Sequence, residues 1–187
     1  MGPLLDKTEA KRQEIADKAA DYLLTVGLQG ASLRPLAAAL GTSDRMLLHY
    51  FTDKEQLVGA ALDRVAGRLL EILSDAVPDP QPFAELVPRL AAQMRGPEFE
   101  PYFRVWIELG AASAAGDVAY RSQIRTIATA FQDWIAAAIA DDRPDRRAAL
   151  AALAMAAVDG CALLDALGLS STADAAITGL STMAAQD

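Results

Sequence analysis

Alanine fills 40 of the 187 positions, whereas valine, isoleucine and threonine together fill 25. Alanine is the strongest helix former, and β-branched residues are the ones that favour strands. The composition therefore predicts an all-α fold. The length allows one ordinary domain or two small ones, with room for a sizeable core. The single cysteine, Cys161, excludes an internal disulfide framework, and the single histidine, His49, excludes a His–His metal pair. No metal and no cofactor are expected. The longest uninterrupted apolar run, Ala148 to Val158, has 11 residues and is too short to cross a bilayer. Met1 to Ala10 carries charge and lacks the apolar centre of a secretory signal. The expectation is a soluble, cytoplasmic protein with no membrane partner.

Glycine and proline divide the chain into about nine helical pieces. The first is predicted over about 8–26, with Asp6 and Glu9 at capping-box spacing, Ile15, Ala19, Leu23 and Val26 on one face, and Gly27 as its stop. A short helix follows over 33–40, capped by Ser32 and carrying Pro35 in its first turn, where a missing N–H does no harm. Another short helix spans about 44–50, with Thr42 or Ser43 as its cap. A long one runs from about 53 to 76, where Thr52 and Glu55 have capping-box spacing. After the proline-rich break at 77–82, helices are predicted over 83–95, 99–115, 117–141, 145–167 and 173–185.

The segment from Ser32 to Phe51 is two short helices joined at Gly41-Thr42-Ser43, the layout of a helix-turn-helix. Leu36, Ala37 and Leu40 give the first helix an apolar face, and Leu47 and Phe51 give the second its own. Packing on these faces leaves Asp44, Arg45, Met46, Leu48 and His49 pointing outward. A helix held in this way can enter the major groove of DNA with its N-terminal residues at base edges.

In its details this segment resembles the tetracycline-repressor (TetR) family of bacterial transcriptional regulators. The resemblance covers residues 11–57 and is carried by Ile15, Ala20, Gly27, the string Ser32-Leu33-Arg34-Pro35-Leu36-Ala37, Gly41-Thr42-Ser43, Leu47, Phe51, Lys54-Glu55 and Leu57. It implies a helix-turn-helix DNA-binding domain over 1–57 that continues into a linking helix at 53–76. It also implies an effector-binding and dimerisation domain over 58–187. Where the family usually has a phosphate-binding tyrosine this chain has Leu48, and where it often has histidine it has Tyr50. Arg45 replaces a frequent glycine. Operator specificity therefore does not transfer from a relative.

Each residue of the motif has an expected role. Ser32 and Thr42 or Ser43 cap helices whose N-terminal amides face phosphate. Arg45 is the first candidate for a bidentate contact to guanine and Arg34 the second. Met46 and Leu48 suit thymine methyl groups. His49 suits a phosphate or a base, and Tyr50 suits a phosphate. The resemblance implies a phosphate contact at Lys54. Asp44 either caps its helix or accepts from cytosine.

A single helix-turn-helix reads few bases, and such proteins usually dimerise to span two half-sites. In the helix predicted over 145–167, Leu150, Ala157 and Leu164 repeat at seven, as do Leu153, Gly160 and Leu167. With Ile177 and Leu180 they form the candidate dimer surface, against the alternative of a buried internal helix. The resemblance implies a four-helix bundle made from the last two helices of each subunit. It places an effector pocket within about 83–141, where Phe103, Trp106, Ile107, Ile127, Phe131 and Trp134 are the candidate lining, with Asp159 as a polar anchor. Such an aromatic stripe also suits a plain core. Arg104 and Glu108 are either further anchors or a surface i,i+4 pair. The alanine content favours an apolar effector.

The function expected from all this is a ligand-responsive regulator, a repressor released from its operator by a small effector. The alternative is a small helical ligand-binding protein or enzyme that does not bind DNA. No P-loop, ExxH or serine-elbow pattern supports the alternative, and no enzymatic activity is expected. The net charge of −8 speaks against nucleic acid only as a bulk figure. Residues 1–57 hold seven basic and eight acidic side chains, and all four lysines lie there; residues 58–187 hold ten basic and 17 acidic ones.

Overall fold

The computed structural model describes the chain from Pro3 to Ala184, with side chains from Lys7. Among the described residues there are nine α-helices and no named strand: α1 (Pro3–Val26), α2 (Leu33–Ala39), α3 (Asp44–Tyr50), α4 (Lys54–Ala76), α5 (Phe83–Met94), α6 (Glu100–Ala114), α7 (Val118–Ala138), α8 (Pro144–Ala166) and α9 (Ser170–Ala184). The all-α expectation holds, and the breaks fall where glycine and proline placed them. Two compact units emerge: residues 1–69 with 101–127, and residues 70–100 with 128–187.

In the first unit α1, α2 and α3 pack on one another. Alanine lets them approach closely. Ala16, Ala19 and Ala20 of α1 are buried, with Ile15 and Leu23 on the same face. From the facing elements Leu36, Leu47 and Phe51 are buried to 2% exposure or less. Val26 departs from the expected stripe: it lies at the end of α1 and is exposed. The cap assigned to Asp6 and Glu9 is also displaced. The helix already begins at Pro3, so Asp6 falls inside it, and its side chain lies outside the described residues. At α4 the cap is shifted by one residue. The helix starts at Lys54, so Asp53 and not Thr52 is the N-cap. Asp53 Oδ1 accepts from the Gln56 amide at 2.7 Å, while Gln56 Oε1 accepts from the Thr52 amide at 2.8 Å.

Ion pairs tie α1 to α4. The Arg64 guanidinium binds Asp17 in bidentate fashion, at 2.6 and 3.1 Å, and Arg68 donates to Asp21 at 2.6 Å. Arg68 also reaches the backbone carbonyl of Asp17 at 3.1 Å. On the outer side of α1, Glu14 accepts from both Lys11 and Lys18, at 2.7 and 2.8 Å. Those two bonds hold the Glu14 carboxyl down to about 2.

The second unit is built around α5, α8 and α9, which pack pairwise. The amphipathic pattern of α5 buries Phe83, Leu86, Val87, Leu90 and Ala91. Just before α5, Gln81 forms an isolated bridge with Ile139, through Gln81 N to Ala138 O and Ala140 N to Gln81 O. Arg95 joins the three helices: its guanidinium donates to Asp165 of α8 and Asp174 of α9, each at 2.7 Å. On α8 the line Ala151, Ala154 and Cys161 is buried, and the opposite line is open. α8 has 23 residues and a mean hydropathy of 1.7 over 18 of them, enough by length and composition to cross a bilayer. The 11-residue run understated this, because only Asp159 and Gly160 interrupt the apolar sequence between Ala148 and Leu164. Only 17% of that window is buried, so α8 presents a largely uncovered apolar surface.

The α1–α4 tie makes a prediction about pH. The hydrogen bond from Arg64 holds the Asp17 carboxyl below its ordinary value of 3.8. A group whose folded pKa is depressed stabilises the fold above its unfolded pKa, and that contribution is lost as pH falls through the folded value. Unfolding titrations are therefore expected to show a steeper loss of stability below about pH 4 in the native chain than in Asp17→Asn. At neutral pH the variant is expected to be the less stable of the two.

Candidate nucleic-acid interface

The turn between α2 and α3 is set by Gly41, whose φ of +66° lies in the left-handed region where a side chain is strained. No atom crowds the space a Cβ would fill there, so conformation alone calls for glycine. The Thr42 amide then closes back on Ala37 O at 2.9 Å. Ser43 is the N-cap of α3, its hydroxyl accepting from the Met46 amide at 3.3 Å. This decides between Thr42 and Ser43 in favour of Ser43. Asp44 is not the cap either; it sits in the first turn of α3, where a carboxylate complements the helix dipole. Ser32 occupies the N-cap position of α2, but its side chain makes no capping hydrogen bond, so the cap expected of its hydroxyl is not formed.

The outward face of α3 follows from which residue is inside. Leu47 is completely buried. At 3.6 residues per turn, the positions roughly opposite it are two residues away on either side. Those are Arg45 and His49, both exposed and stacked one turn apart. Met46 and Leu48 flank that polar pair, 44% and 45% exposed. Ser43, Arg45, Met46, Leu48, His49 and Tyr50 together line a surface concavity. The His49 ring stands edge-on to Tyr50, with centroids 5.0 Å apart, and Tyr50 is half-buried. Arg34 is exposed on α2, and Lys54 is half-buried at the start of α4.

The placement of this motif depends on α6. Arg104 donates to the carbonyls of Leu24 and Thr25, at 2.7 and 3.2 Å, and so caps the C-terminal end of α1. One turn later, the Glu108 carboxylate accepts from the amides of Leu28 and Gln29 just beyond that end. Their partners are thus on α1 and the α1–α2 turn. The sequence alternatives, a surface pair with each other or anchors for an effector, do not describe these contacts. Spacing along α6 carried no signal for them.

The remaining candidates divide between the two units. Of the expected pocket residues, Phe103, Trp106, Ile107 and Ile127 belong to the first unit, and Phe131, Trp134 and Asp159 to the second. Ile127 is buried, Ile107 is exposed, and the Trp134 indole donates to Ser74 Oγ at 2.9 Å. On α8, Leu153, Gly160 and Leu167 are exposed, while Leu150, Ala157 and Leu164 are half-buried. Ile177 and Leu180 of α9 are also half-buried. Leu163, Leu169 and Met183 extend the exposed apolar surface, and heptad counting from Leu150 and Leu153 missed them.

Gly27 offers a test of the α6 clamp. Its φ is +81°, and a Cβ there would lie 2.6 Å from Glu108 Oε1. Gly27→Ala is expected to cost well over about 1 kcal/mol, because both the backbone and the carboxylate must shift. In a Glu108→Ala background the same substitution should cost less. Equal costs in chemical denaturation of the two backgrounds would show that the clamp does not constrain the turn.

Comparison with known proteins matches this geometry. Residues 15–61 match the family described as bacterial regulatory proteins, tetR family. The chain is similar to the HTH-type transcriptional repressor AcnR of Corynebacterium glutamicum, with 37% identity over 70 residues. That alignment spans 37% of this chain and 37% of the relative's length. Its fold is similar to that of a TetR-family transcriptional regulator from Cytophaga hutchinsonii, with a TM-score of 0.74, 20% identity and 96% of each chain covered. It is also similar to that of the multidrug binding protein EbrR complexed with imidazole, with a TM-score of 0.62, 23% identity, and 91% and 94% of the two chains covered. The N-terminal quarter of the chain is thus similar in sequence to the tetR family of bacterial regulatory proteins, and nearly its whole length is similar in fold to a regulator of that family.

Proposed function

We propose that this chain is a ligand-responsive, DNA-binding transcriptional regulator that acts in the cytoplasm, with no catalytic role. The observation that carries the proposal is the face of α3. Arg45 and His49 stand opposite the buried Leu47, flanked by exposed Met46 and Leu48, on a helix capped by Ser43. An Arg at such a position suits the paired acceptors of guanine, and apolar side chains beside it suit thymine methyl groups. Arg34 and Lys54 lie on the flanking helices, where backbone phosphates would pass, and Ser32 leaves the first amides of α2 without a side-chain cap. The identity to a named repressor over this same part of the chain supports the assignment as a repressor.

The partner for the other half-site is a second copy of the chain. The exposed apolar line of α8, with Leu153, Gly160 and Leu167, and its extension onto α9 provide a self-complementary surface. Nothing crowds a Cβ built at Gly160, so a second helix has room to approach closely. The effector is small and largely apolar, taken up by the side chains of α6 and α7; the likeness to EbrR, a multidrug binding protein complexed with imidazole, supports a small-molecule effector. It acts by binding better to the conformation in which two recognition helices no longer fit the operator. Helix α4, with its ion pairs to α1, and helix α6, through Arg104 and Glu108, are the levers.

Two measurements test the proposal. A duplex selected by the protein from a random pool should bind with an affinity that falls steeply with salt, and Arg45→Ala should cost about 1–3 kcal/mol and relax preference at one position of each half-site. Unchanged affinity and preference would remove Arg45 from base reading. Sedimentation of the native chain should report a dimer at micromolar concentration, and Leu153→Asp should shift it to monomer. A monomeric native chain would overturn the α8 assignment.

A further inference from the structure

Arg12 lies on α1, three residues before the segment that carries the family match. Its guanidinium carbon sits 5.1 Å from the centroid of the Phe51 ring, within cation–π range. Phe51 is the C-cap of α3 and is 2% exposed, so Arg12 roofs the ring at the point where α3 hands over to α4. The neighbouring cations have different surroundings. Lys11 and Lys18 are both spent on Glu14, and Arg64 and Arg68 on Asp17 and Asp21. Among the described residues no carboxylate pairs with Arg12. A ring face holds a guanidinium in place but does not neutralise it, and the N–H groups at its edge keep their capacity to donate.

The surroundings favour an anion. Lys54 is three residues from Phe51, a Cα separation of at most about 11 Å. At the start of α4 the Gln56 amide is taken by Asp53 and the Thr52 amide by the Gln56 side chain, which leaves fewer backbone donors at this junction and gives charged side chains a larger part in holding an anion. Resting on the reading of α3 as a recognition helix, we propose that Arg12 is a DNA-backbone contact. Its guanidinium, held against Phe51, takes a phosphate near the one taken by Lys54. A planar fork of donors suits two phosphate oxygens at once. The contact is independent of base sequence, so it adds affinity and register without adding specificity.

The test is the salt dependence of binding, measured on a duplex selected by the native chain and on a random duplex of equal length. Arg12→Gln should flatten the slope of log affinity against log salt by about 0.9 for each protomer bound. That slope corresponds to a loss of about fivefold in affinity at 0.15 M salt relative to 1 M, of similar size on both duplexes. Arg12→Lys should restore most of the slope. Lys11→Gln, which removes a cation already paired with Glu14, should leave it nearly unchanged. An affinity loss for Arg12→Gln with no change of slope would assign Arg12 a structural role over Phe51 and overturn the proposal. An equal change for Lys11→Gln would overturn it too, by showing a bulk-charge effect. A native chain that binds neither duplex would instead overturn the DNA-binding reading itself.

Discussion

One carboxylate holds the joint on which the N-terminal unit turns. Glu108 reaches from α6 to the amides of Leu28 and Gln29, immediately after α1 ends at Val26 and the backbone reverses at Gly27. Those amides cannot join the hydrogen bonds of α1 and would otherwise need water. Arg104, one turn earlier, satisfies the carbonyls on the other side of the same joint. The path of the chain into α2, and through Gly41 into α3, starts from this point. The proposed recognition helix thus takes its position partly from residues far outside the matched domain. A displacement of α6 would be felt at α1 through charged hydrogen bonds, which are stronger than neutral ones.

The electrostatics of the first unit show why net charge is a poor guide to partners. Residues 1–57 are close to neutral in sum, and an even spread would give a weak field. The charges are sorted instead. Glu14, Asp17 and Asp21 of α1 are engaged by Lys11, Lys18, Arg64 and Arg68; the two arginines tie α1 to α4, and both signs are neutralised locally. Arg12, Arg34, Arg45 and Lys54 take no part in those pairs. Such sorting leaves positive groups where α1, α2, α3 and the start of α4 come together, in a chain whose overall charge is −8.

The second unit poses a different problem, that of an uncovered surface. α5 and α9 cover one side of α8, where alanine and Cys161 allow close packing. The other side carries Leu153, Leu163 and Leu167 at 44% exposure or more. Leaving so much leucine in water is unfavourable, and apolar patches of this kind commonly mark association surfaces. Arg95, bridging Asp165 and Asp174, fixes α8 and α9 to α5 and so fixes the shape of that surface. Heptad counting found part of it, and the exposure of Leu163, Leu169 and Met183 added the rest.

What the sequence by itself determined is local. The number and order of the helices, the glycine stops at Gly27 and Gly41, the inward set of Leu36, Leu47 and Phe51, and the outward set on α3 were legible, whereas the starts of α1 and α9 lie earlier than expected, at Pro3 and Ser170. The legible features depend on propensity, punctuation and periodicity over a few residues. Even there, caps could slip by a residue, as from Thr52 to Asp53, because competing side chains of similar chemistry sit side by side. The tertiary structure alone decided the long-range partners. Glu108 meets Leu28 across 80 positions, and Arg64 meets Asp17 across 47. A charged side chain in the sequence is compatible with a solvated surface, an ion pair or a backbone cap. Which one it takes depends on which backbone lies within about 3 Å once the helices have packed.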